Sequence, residues 1–226
     1  MFQLIQLGLY TLAENLIQMI LDSTMLVLPL WFGNAAPTIL GGGAPIDGGR
    51  YWRDGNRMLG DGKTIRGFWA GTFVGGFMGG LIAGLIAWMS SIFPVPINLT
   101  DDLILRLVYQ DFLESGLFYE VLVFINLRGL FSNTVFLGFF TGGLMAFGGL
   151  IGDLIGSFIK RRSGIERGHP FIFLDQLGFL VLGMLFVYLL IPWPIEFLIV
   201  QVPITFIVHI VANLFGYFTG IQEDPL

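Results

Sequence analysis

The sequence contains no cysteine and few charged residues. Without thiols the chain can form no disulfide framework, no thiolate metal site and no cysteine nucleophile. Charged residues make up only 12% of the chain, against about 25% in soluble domains, which excludes a soluble globular protein. Because 55% of the 226 residues are hydrophobic, disorder is excluded as well. The net charge of −5 argues against a nucleic-acid partner.

Long apolar runs fill most of the chain. About 20 apolar residues cross a bilayer as a helix. The runs that reach or approach this length are 68–93, 134–159, 177–191 and 195–217, and a further span is predicted at about 24–40. We therefore predict an all-α polytopic membrane protein with about five transmembrane helices, forming a single integral membrane domain over residues 1–226.

The N-terminal residues 1–23 carry a polar stripe at helical spacing, made of Thr11, Glu14, Gln18 and Asp22. Such a stripe on an otherwise apolar helix favours an interfacial helix that leads into the first span. One long tilted helix is the alternative.

The basic residues predict the orientation. Nine of the eleven lie in two segments, residues 41–66 and 160–172, which we call the first and second basic loops. Positive charge favours the cytoplasmic side, so both glycine-rich loops are predicted to face the cytoplasm. The acidic segment 94–130 is predicted to be extracytoplasmic.

Glycines recur every four residues in the second and third spans. Small residues at this spacing let helix backbones touch. The repeats are Gly67, Gly71, Gly75 and Gly79; Gly76, Gly80 and Gly84; Gly138 and Gly142; and Gly148, Gly152 and Gly156. We predict that these two spans are interior helices that bring the two basic loops together.

Asp153 is an ionisable residue inside an apolar run, which is costly and usually functional. It precedes Lys160 by seven residues, about 10 Å along a helix, and shares a helix face with Ser157 and Lys160. Asp175 opens the fourth span at a similar depth. Two carboxylates beside a cationic loop suit a polyphosphate with its Mg²⁺, and His169 in that loop is a candidate contact to phosphate or base. A buried ion pair between Asp153 and an arginine of the first basic loop is the alternative.

The first basic loop combines five cations with Asp47, Asp54 and Asp61, which an orientation signal alone does not require. Its glycines offer backbone N–H groups to anions. Asn34 and Pro37 are predicted to break the first span beside this loop, where Asn34 could reach the site. His209, alone on the last span, is predicted to be a satisfied interior histidine.

These motifs resemble the CDP-archaeol synthases, archaeal CTP-dependent cytidylyltransferases of ether-lipid synthesis. In the first basic loop the similar stretches are Asn34-Ala-Ala-Pro37, Gly41-Gly-Gly-x-Pro45-Ile-Asp47, Asp54-Gly-x-Arg57 and Gly60-Asp-Gly-Lys-Thr-x-Arg-Gly67. In the second they are Gly152-Asp-Leu-x-Gly-Ser-x-Ile-Lys-Arg161, Gly164-Ile165 and Leu174-Asp-Gln176. The second stretch also resembles the bacterial CDP-diacylglycerol synthases. The chain departs from the pattern at Gln176, where the bacterial signature has arginine, and at Gly178, where aspartate is expected.

The resemblance implies transfer of CMP from CTP to a prenylated glycerol phosphate lipid in the cell membrane. It implies Mg²⁺ held by Asp153 and Asp175, and phosphates clamped by the catalytic residues Lys63, Arg66, Lys160 and Arg161. The implied substrate-binding residues are Asn34, Gly42, Gly43, Asp47, Asp54, Arg57, Asp61, Thr64, Ser157 and His169. A magnesium or phosphate transporter is the alternative function, and the sequence leaves a homodimer open.

Overall fold

The computed structural model describes residues 2–92, 134–164, 172–189 and 193–220, without the side chains of residues 2–15, 86–87, 89–92, 134 and 172–176. These residues form five helices: α1 (Phe2–Leu40), α2 (Ile65–Ile92), α3 (Thr134–Arg162), α4 (Ile172–Tyr188) and α5 (Ile195–Phe218). All but α4 are long and apolar enough to cross a membrane, and α4 holds a shorter apolar stretch, Leu177–Tyr188. The all-helical multi-pass prediction is confirmed. The acidic segment 94–130 lies outside the described residues.

Helix α1 is one continuous helix, and its apolar stretch from Leu16 to Leu40 is the candidate span. The predicted break at Asn34 and Pro37 is wrong, because the helix continues through Pro37 to Leu40. Proline lacks the N–H that would bond the carbonyl of Gly33, and in membranes neighbouring helices compensate for such a loss. Here α2 lies against this point: a Cβ added to Gly71 would be 2.5 Å from the Gly33 oxygen.

Helices α2 and α3 touch along their glycines, as predicted. A Cβ on Gly79 would lie 2.1 Å from the Gly138 carbonyl oxygen, and one on Gly142 would lie 2.5 Å from the Gly75 oxygen. Atoms cannot approach so closely, so a larger residue at either position would push the helices apart. This contact fixes the relative position of the two helices that carry the basic loops.

Helix α4 packs against α3 in the same way. A Cβ on Gly152, the residue before Asp153, would lie 2.3 Å from the Gly178 oxygen. Gly178, where the resemblance predicts an aspartate, is therefore a point at which the backbones of α3 and α4 meet.

Polar side chains join the first helix to the last inside the bundle. The amide nitrogen of Gln201, fully buried in α5, donates hydrogen bonds to Ser23 Oγ at 2.8 Å and Thr24 Oγ1 at 3.1 Å in α1. About two turns further along α1, the Trp31 indole N–H donates to Thr205 Oγ1 at 3.1 Å. These bonds fix the register of α1 against α5, beside an apolar core that includes Val27, Leu30, Leu180 and Met184.

Candidate active site

The first basic loop is closed at its base by antiparallel backbone bonds between its two ends. The N–H of Ile46 donates to the Lys63 carbonyl at 2.8 Å, and the N–H of Ile65 donates to the Ala44 carbonyl at 3.1 Å. Thr64 then caps α2, because its Oγ1 accepts the N–H of Gly67 at 3.1 Å, the usual N-cap arrangement. The loop therefore leaves α1 and returns to α2 at the same place, and Lys63 lies at the point of return.

Asp47 organises the interior of this loop. Its carboxylate accepts the N–H groups of Gly49 at 3.0 Å and Leu59 at 3.1 Å, and it pairs with the Arg57 guanidinium at 3.1 Å. Burial raises the pKa of Asp47, but these hydrogen bonds outweigh burial and hold the pKa below its usual value. With 1% of its side chain exposed, Asp47 faces into the loop.

Arg162, the last residue of α3, contacts the same loop from outside. Its Nε donates to Asp54 Oδ2 at 2.7 Å and its Nη2 donates to the Arg57 carbonyl at 2.6 Å. The pKa of Asp54 is lowered, first by the hydrogen bond from the Asn56 N–H and also by Arg162. Sequence reasoning assigned no role to Arg162, since it is one of three consecutive cations at a helix end.

Lys63 and Asp153 form an ion pair between the first basic loop and α3. The sequence left open an ion pair with an arginine; the observed cation is a lysine. The two side chains keep 29% and 30% of their surface exposed. The carboxylate is therefore accessible, and another cation or a phosphate could compete for this pair.

A cavity of about 1010 Å³ lies beside this ion pair, bounded by α1, the first basic loop, α3, α4 and α5. Its lining includes nine of the residues predicted from sequence, namely Asn34, Gly42, Asp61, Lys63, Thr64, Asp153, Ser157, Lys160 and Arg161. Five charged side chains from the loop and α3 thus share the cavity with apolar residues of α1 and α5, such as Ile39 and Phe215. The charged residues suit phosphate and the apolar residues suit hydrocarbon.

Five other predicted residues do not line this cavity: Gly43, Asp47, Asp54, Arg57 and Arg66. Asp47, Asp54 and Arg57 are bonded within the loop or to Arg162, and Arg66 is exposed at the start of α2. Gly42 and Gly43 adopt φ values of +96° and +82°, which residues other than glycine rarely adopt. The side chain of Asp175 and the whole of His169 lie outside the described residues, so their roles stay predictions.

Sequence reasoning missed a polar stripe on α5. Thr205, His209 and Asn213 line the cavity at intervals of four residues, and the His209 ring lies 6.1 Å from that of Phe179. The signal was present as a four-residue repeat of polar residues in an apolar helix. His209 is therefore interior, as predicted, and also faces the cavity.

The donors in the cavity are compatible with Mg²⁺. In the described part of the chain no three histidines or carboxylates gather into a metal-binding cluster. The cavity is lined by the carboxylates of Asp61 and Asp153 and by Ser157, which follows Asp153 by four residues on α3. Magnesium takes one or two carboxylates and completes its shell from water and phosphate oxygens, so this oxygen-only set fits the ion.

A family model described as CarS-like, CDP-archaeol synthase, matches residues 16–113 and 107–226. The chain belongs to the CDP-archaeol synthase family. The CDP-archaeol synthase of Thermococcus kodakarensis is 41% identical over 202 residues, covering 88% of this chain and 92% of that protein. The enzyme of Thermococcus gammatolerans is 39% identical over 207 residues, with the same two coverages.

A solved structure also matches. It is described as an intramembrane enzyme for archaeal membrane lipid biosynthesis, and the two share a TM-score of 0.60 with 30% identity. The alignment covers 86% of this chain and 94% of that one. The family resemblance read from the two basic loops is thus confirmed across most of the chain, and the comparisons lend no support to a transporter.

Proposed function

We propose that this membrane protein transfers CMP from CTP to 2,3-bis-O-(geranylgeranyl)-sn-glycerol 1-phosphate, giving the CDP-lipid and pyrophosphate. It is a CDP-archaeol synthase by family. The observation that carries the proposal is the cavity that Lys63, Asp153, Lys160 and Arg161 line together with apolar residues of α1 and α5. A site with both kinds of lining can hold a nucleotide and a lipid phosphate together.

In the proposed step an oxygen of the lipid phosphate attacks the α-phosphorus of CTP. A new P–O bond forms, the bond from the α-phosphorus to the oxygen bridging it to the β-phosphorus breaks, and the electron pair leaves with pyrophosphate. The nucleophile is already ionised, so no general base is needed. Catalysis then rests on positioning and on stabilising negative charge.

The cationic side chains supply most of that stabilisation. Lys63, Lys160 and Arg161 line the cavity, and we assign them to the phosphates of the two substrates. Lysine and arginine form charge-assisted hydrogen bonds with phosphate oxygens. When a triphosphate binds, Lys63 can exchange its bond with Asp153 for a phosphate oxygen.

We assign Mg²⁺ to Asp153, with Asp175 as its predicted partner and Asp61 as the further carboxylate in the cavity. When bound, the ion would neutralise charge on the triphosphate and on the departing pyrophosphate. Its removal should therefore stop turnover without unfolding the helices.

The apolar lining residues of α1 and α5 are assigned to the prenyl chains. Trp31, Ile39 and Phe215 line the cavity. The glycine-rich faces of α2 and α3 are occupied by contacts with neighbouring helices. We place the lipid between α1 and α5, and the phosphate end of the site on the cytoplasmic side.

The test is a transfer assay with purified protein in detergent. Protein is mixed with [α-³²P]CTP, MgCl₂ and the geranylgeranyl acceptor, and label in the organic phase is counted. We expect transfer that EDTA abolishes and excess Mg²⁺ restores. Phosphatidic acid, an ester lipid with the same phosphate, serves as the comparison acceptor. Folded protein that transfers no label to either lipid would refute the proposal.

A further inference from the structure

We propose that Arg162 is a positioning residue that locks the first basic loop onto α3 and thereby holds Lys63 at the cavity. Arg162 is the last residue of α3. Its guanidinium donates to the Asp54 carboxylate and to the carbonyls of Arg57 and Met58 at 2.7, 2.6 and 3.4 Å. With a further bond to the Asn56 carbonyl at 3.4 Å, one side chain bonds a carboxylate and three backbone oxygens of a loop more than 100 residues away.

The contacts continue from Arg162 to Lys63 through the loop. The carbonyl of Arg57 is bonded to Arg162, while the guanidinium of Arg57 is bonded to Asp47. The Asp47 carboxylate accepts the N–H of Leu59. Next to Asp47, Ile46 donates its N–H to the carbonyl of Lys63. The loop is therefore one bonded unit, and fixing one side of it fixes Lys63 on the other.

The geometry requires an arginine. The planar guanidinium offers several donors in a fixed fork, whereas an ammonium is a single point on a flexible stem. The Arg162 guanidinium also lies 4.4 Å from the centre of the Phe158 ring, and Phe158 meets Trp52 of the loop edge-on at 5.3 Å. A lysine at this position keeps the charge but loses the fork and the flat contact with the ring.

Arg162 differs in this respect from the two cations before it. Lys160 and Arg161 line the cavity, and Arg162 does not. Successive residues of a helix point about 100° apart, so three adjacent cations face different directions. We infer that the first two serve the substrates and that the third serves the loop.

Two experiments test the inference. Hydrogen exchange tests whether Arg162 holds the loop, and an activity assay, which rests on the proposed function, tests whether this affects catalysis. Amide hydrogen exchange of residues 44–64 is measured for the wild type, Arg162→Gln, Arg162→Lys and Asp54→Asn. Arg53→Gln is the matched control, because Arg53 is an exposed arginine of the same loop. We expect faster exchange in this segment for both Arg162 variants, a smaller increase for Asp54→Asn, and none for Arg53→Gln.

The activity assay measures kcat/KM for CTP. Because Arg162→Gln removes hydrogen bonds made by a charged group, we expect it to lower kcat/KM for CTP by about 10- to 100-fold. Arg162→Lys should restore little of this loss, and Arg53→Gln should leave kcat/KM unchanged. The deciding variant is Arg162→Gln in a Lys63→Ala background. If Arg162 acts by positioning Lys63, its loss adds little once Lys63 is gone.

Full additivity of the two losses, or unchanged exchange in Arg162→Gln, would overturn the inference. If Arg162→Gln does not fold, Asp54→Asn carries the same exchange and background tests. If the wild type transfers no CMP, the proposed function fails, and the exchange results still decide whether Arg162 locks the loop.

Discussion

At the scale of single residues, two cations, the Lys63 ammonium and Mg²⁺, compete for the carboxylate of Asp153. In this structure it bonds Lys63, and the proposed reaction requires that it also serve Mg²⁺. The partly exposed pair is suited to such an exchange, since a fully buried pair would lose much more on breaking. Lys63 and Asp153 are therefore expected to act together.

Replacing this carboxylate tests its role. We expect Asp153→Asn to lower kcat/KM by at least about 100-fold, as loss of a transition-state charge contact does, while its thermal unfolding midpoint in detergent stays close to that of the wild type. Glu196→Gln, an exposed carboxylate in the first turn of α5, is the matched control. Near-normal turnover by Asp153→Asn would remove Asp153 from the mechanism.

The two carboxylates that contact Arg57 make a second comparison at this scale. Asp47 has 1% of its side chain exposed, whereas Asp61 has 68% exposed and pairs with Arg57 at 2.7 Å. We expect Asp47→Asn to lower the free energy of unfolding by about 1–3 kcal/mol, because it weakens the hydrogen bonds that this buried carboxylate accepts. Asp61→Asn should cost about 0–1 kcal/mol, as exposed ion pairs do. Equal losses in the two variants would contradict this account.

Because the pKa of Asp47 is lowered, the stability difference between the wild type and Asp47→Asn depends on pH. The folded carboxylate binds a proton less readily than the unfolded one, so its contribution is full above the unfolded value of about 3.9. That contribution is lost as the pH falls through the lowered folded pKa. The stability difference between wild type and Asp47→Asn should therefore be constant at neutral pH and shrink in acid, as measured by unfolding at stepped pH values. A difference that persists below the folded pKa would rule out this cause.

The sequence indicated which residues gather near the cavity better than it indicated what each one contacts. Asp47, Asp54 and Arg57 of the first basic loop were predicted to bind substrate. In the structure the Asp47 carboxylate accepts hydrogen bonds from the Arg57 guanidinium and the Leu59 N–H, and Asp54 accepts one from Arg162. Loop closure decides which carboxylates face inward, and closure depends on pairing that residue types alone do not reveal.

At the scale of helices, the glycine repeats were a reliable signal because they have a single physical use here. A four-residue spacing places every glycine on one face, and the structure packs these faces together. Proline was a poorer signal. Pro37 was predicted to end the span, yet α1 continues, because packing against α2 stabilises a helix that isolated propensity would break.

Two adjacent glycines of α3 test the contact. A Cβ at Gly142 would lie 2.5 Å from the Gly75 oxygen, but the nearest atoms to a Cβ at Gly143 are at 3.6 Å. We expect Gly142→Ala to destabilise the protein by about 1–3 kcal/mol, and Gly143→Ala to be neutral or to stabilise by up to about 1 kcal/mol. Denaturant titration in mixed micelles measures both. A harmless Gly142→Ala would show that α2 and α3 are not in this close contact.

At the scale of the whole molecule, the cavity is assembled from distant parts of the chain. Residues from α1, the first basic loop, α3 and α5 line it. The sequence predicted the cationic side, where charge is rare and therefore informative. It did not predict that α5 also lines the cavity, because nearly every face of that helix is apolar and the face that lines the cavity is marked by only a few polar residues.

The lipid assignment predicts which face of α5 tolerates bulk. Val208 lines the cavity, whereas Val211, three residues on, is exposed on the outside of the bundle. We expect Val208→Trp to raise KM for the lipid acceptor by about tenfold or more, as overpacking of a well-formed site does, with a smaller effect on KM for CTP. Val211→Trp should leave both constants unchanged. Equal effects of the two variants would place the lipid elsewhere.

The hydrogen bonds from Gln201 to Ser23 and Thr24 have a consequence for how the chain matures in the membrane. Helix α1 is synthesised before α5, and the hydroxyls of Ser23 and Thr24 accept hydrogen bonds from an amide of α5. Before α5 is inserted, α1 therefore lacks this amide partner, although Ser23 Oγ already donates to the Ile20 carbonyl of its own helix. The contact between α1 and α5 thus forms only after α5 has entered the membrane.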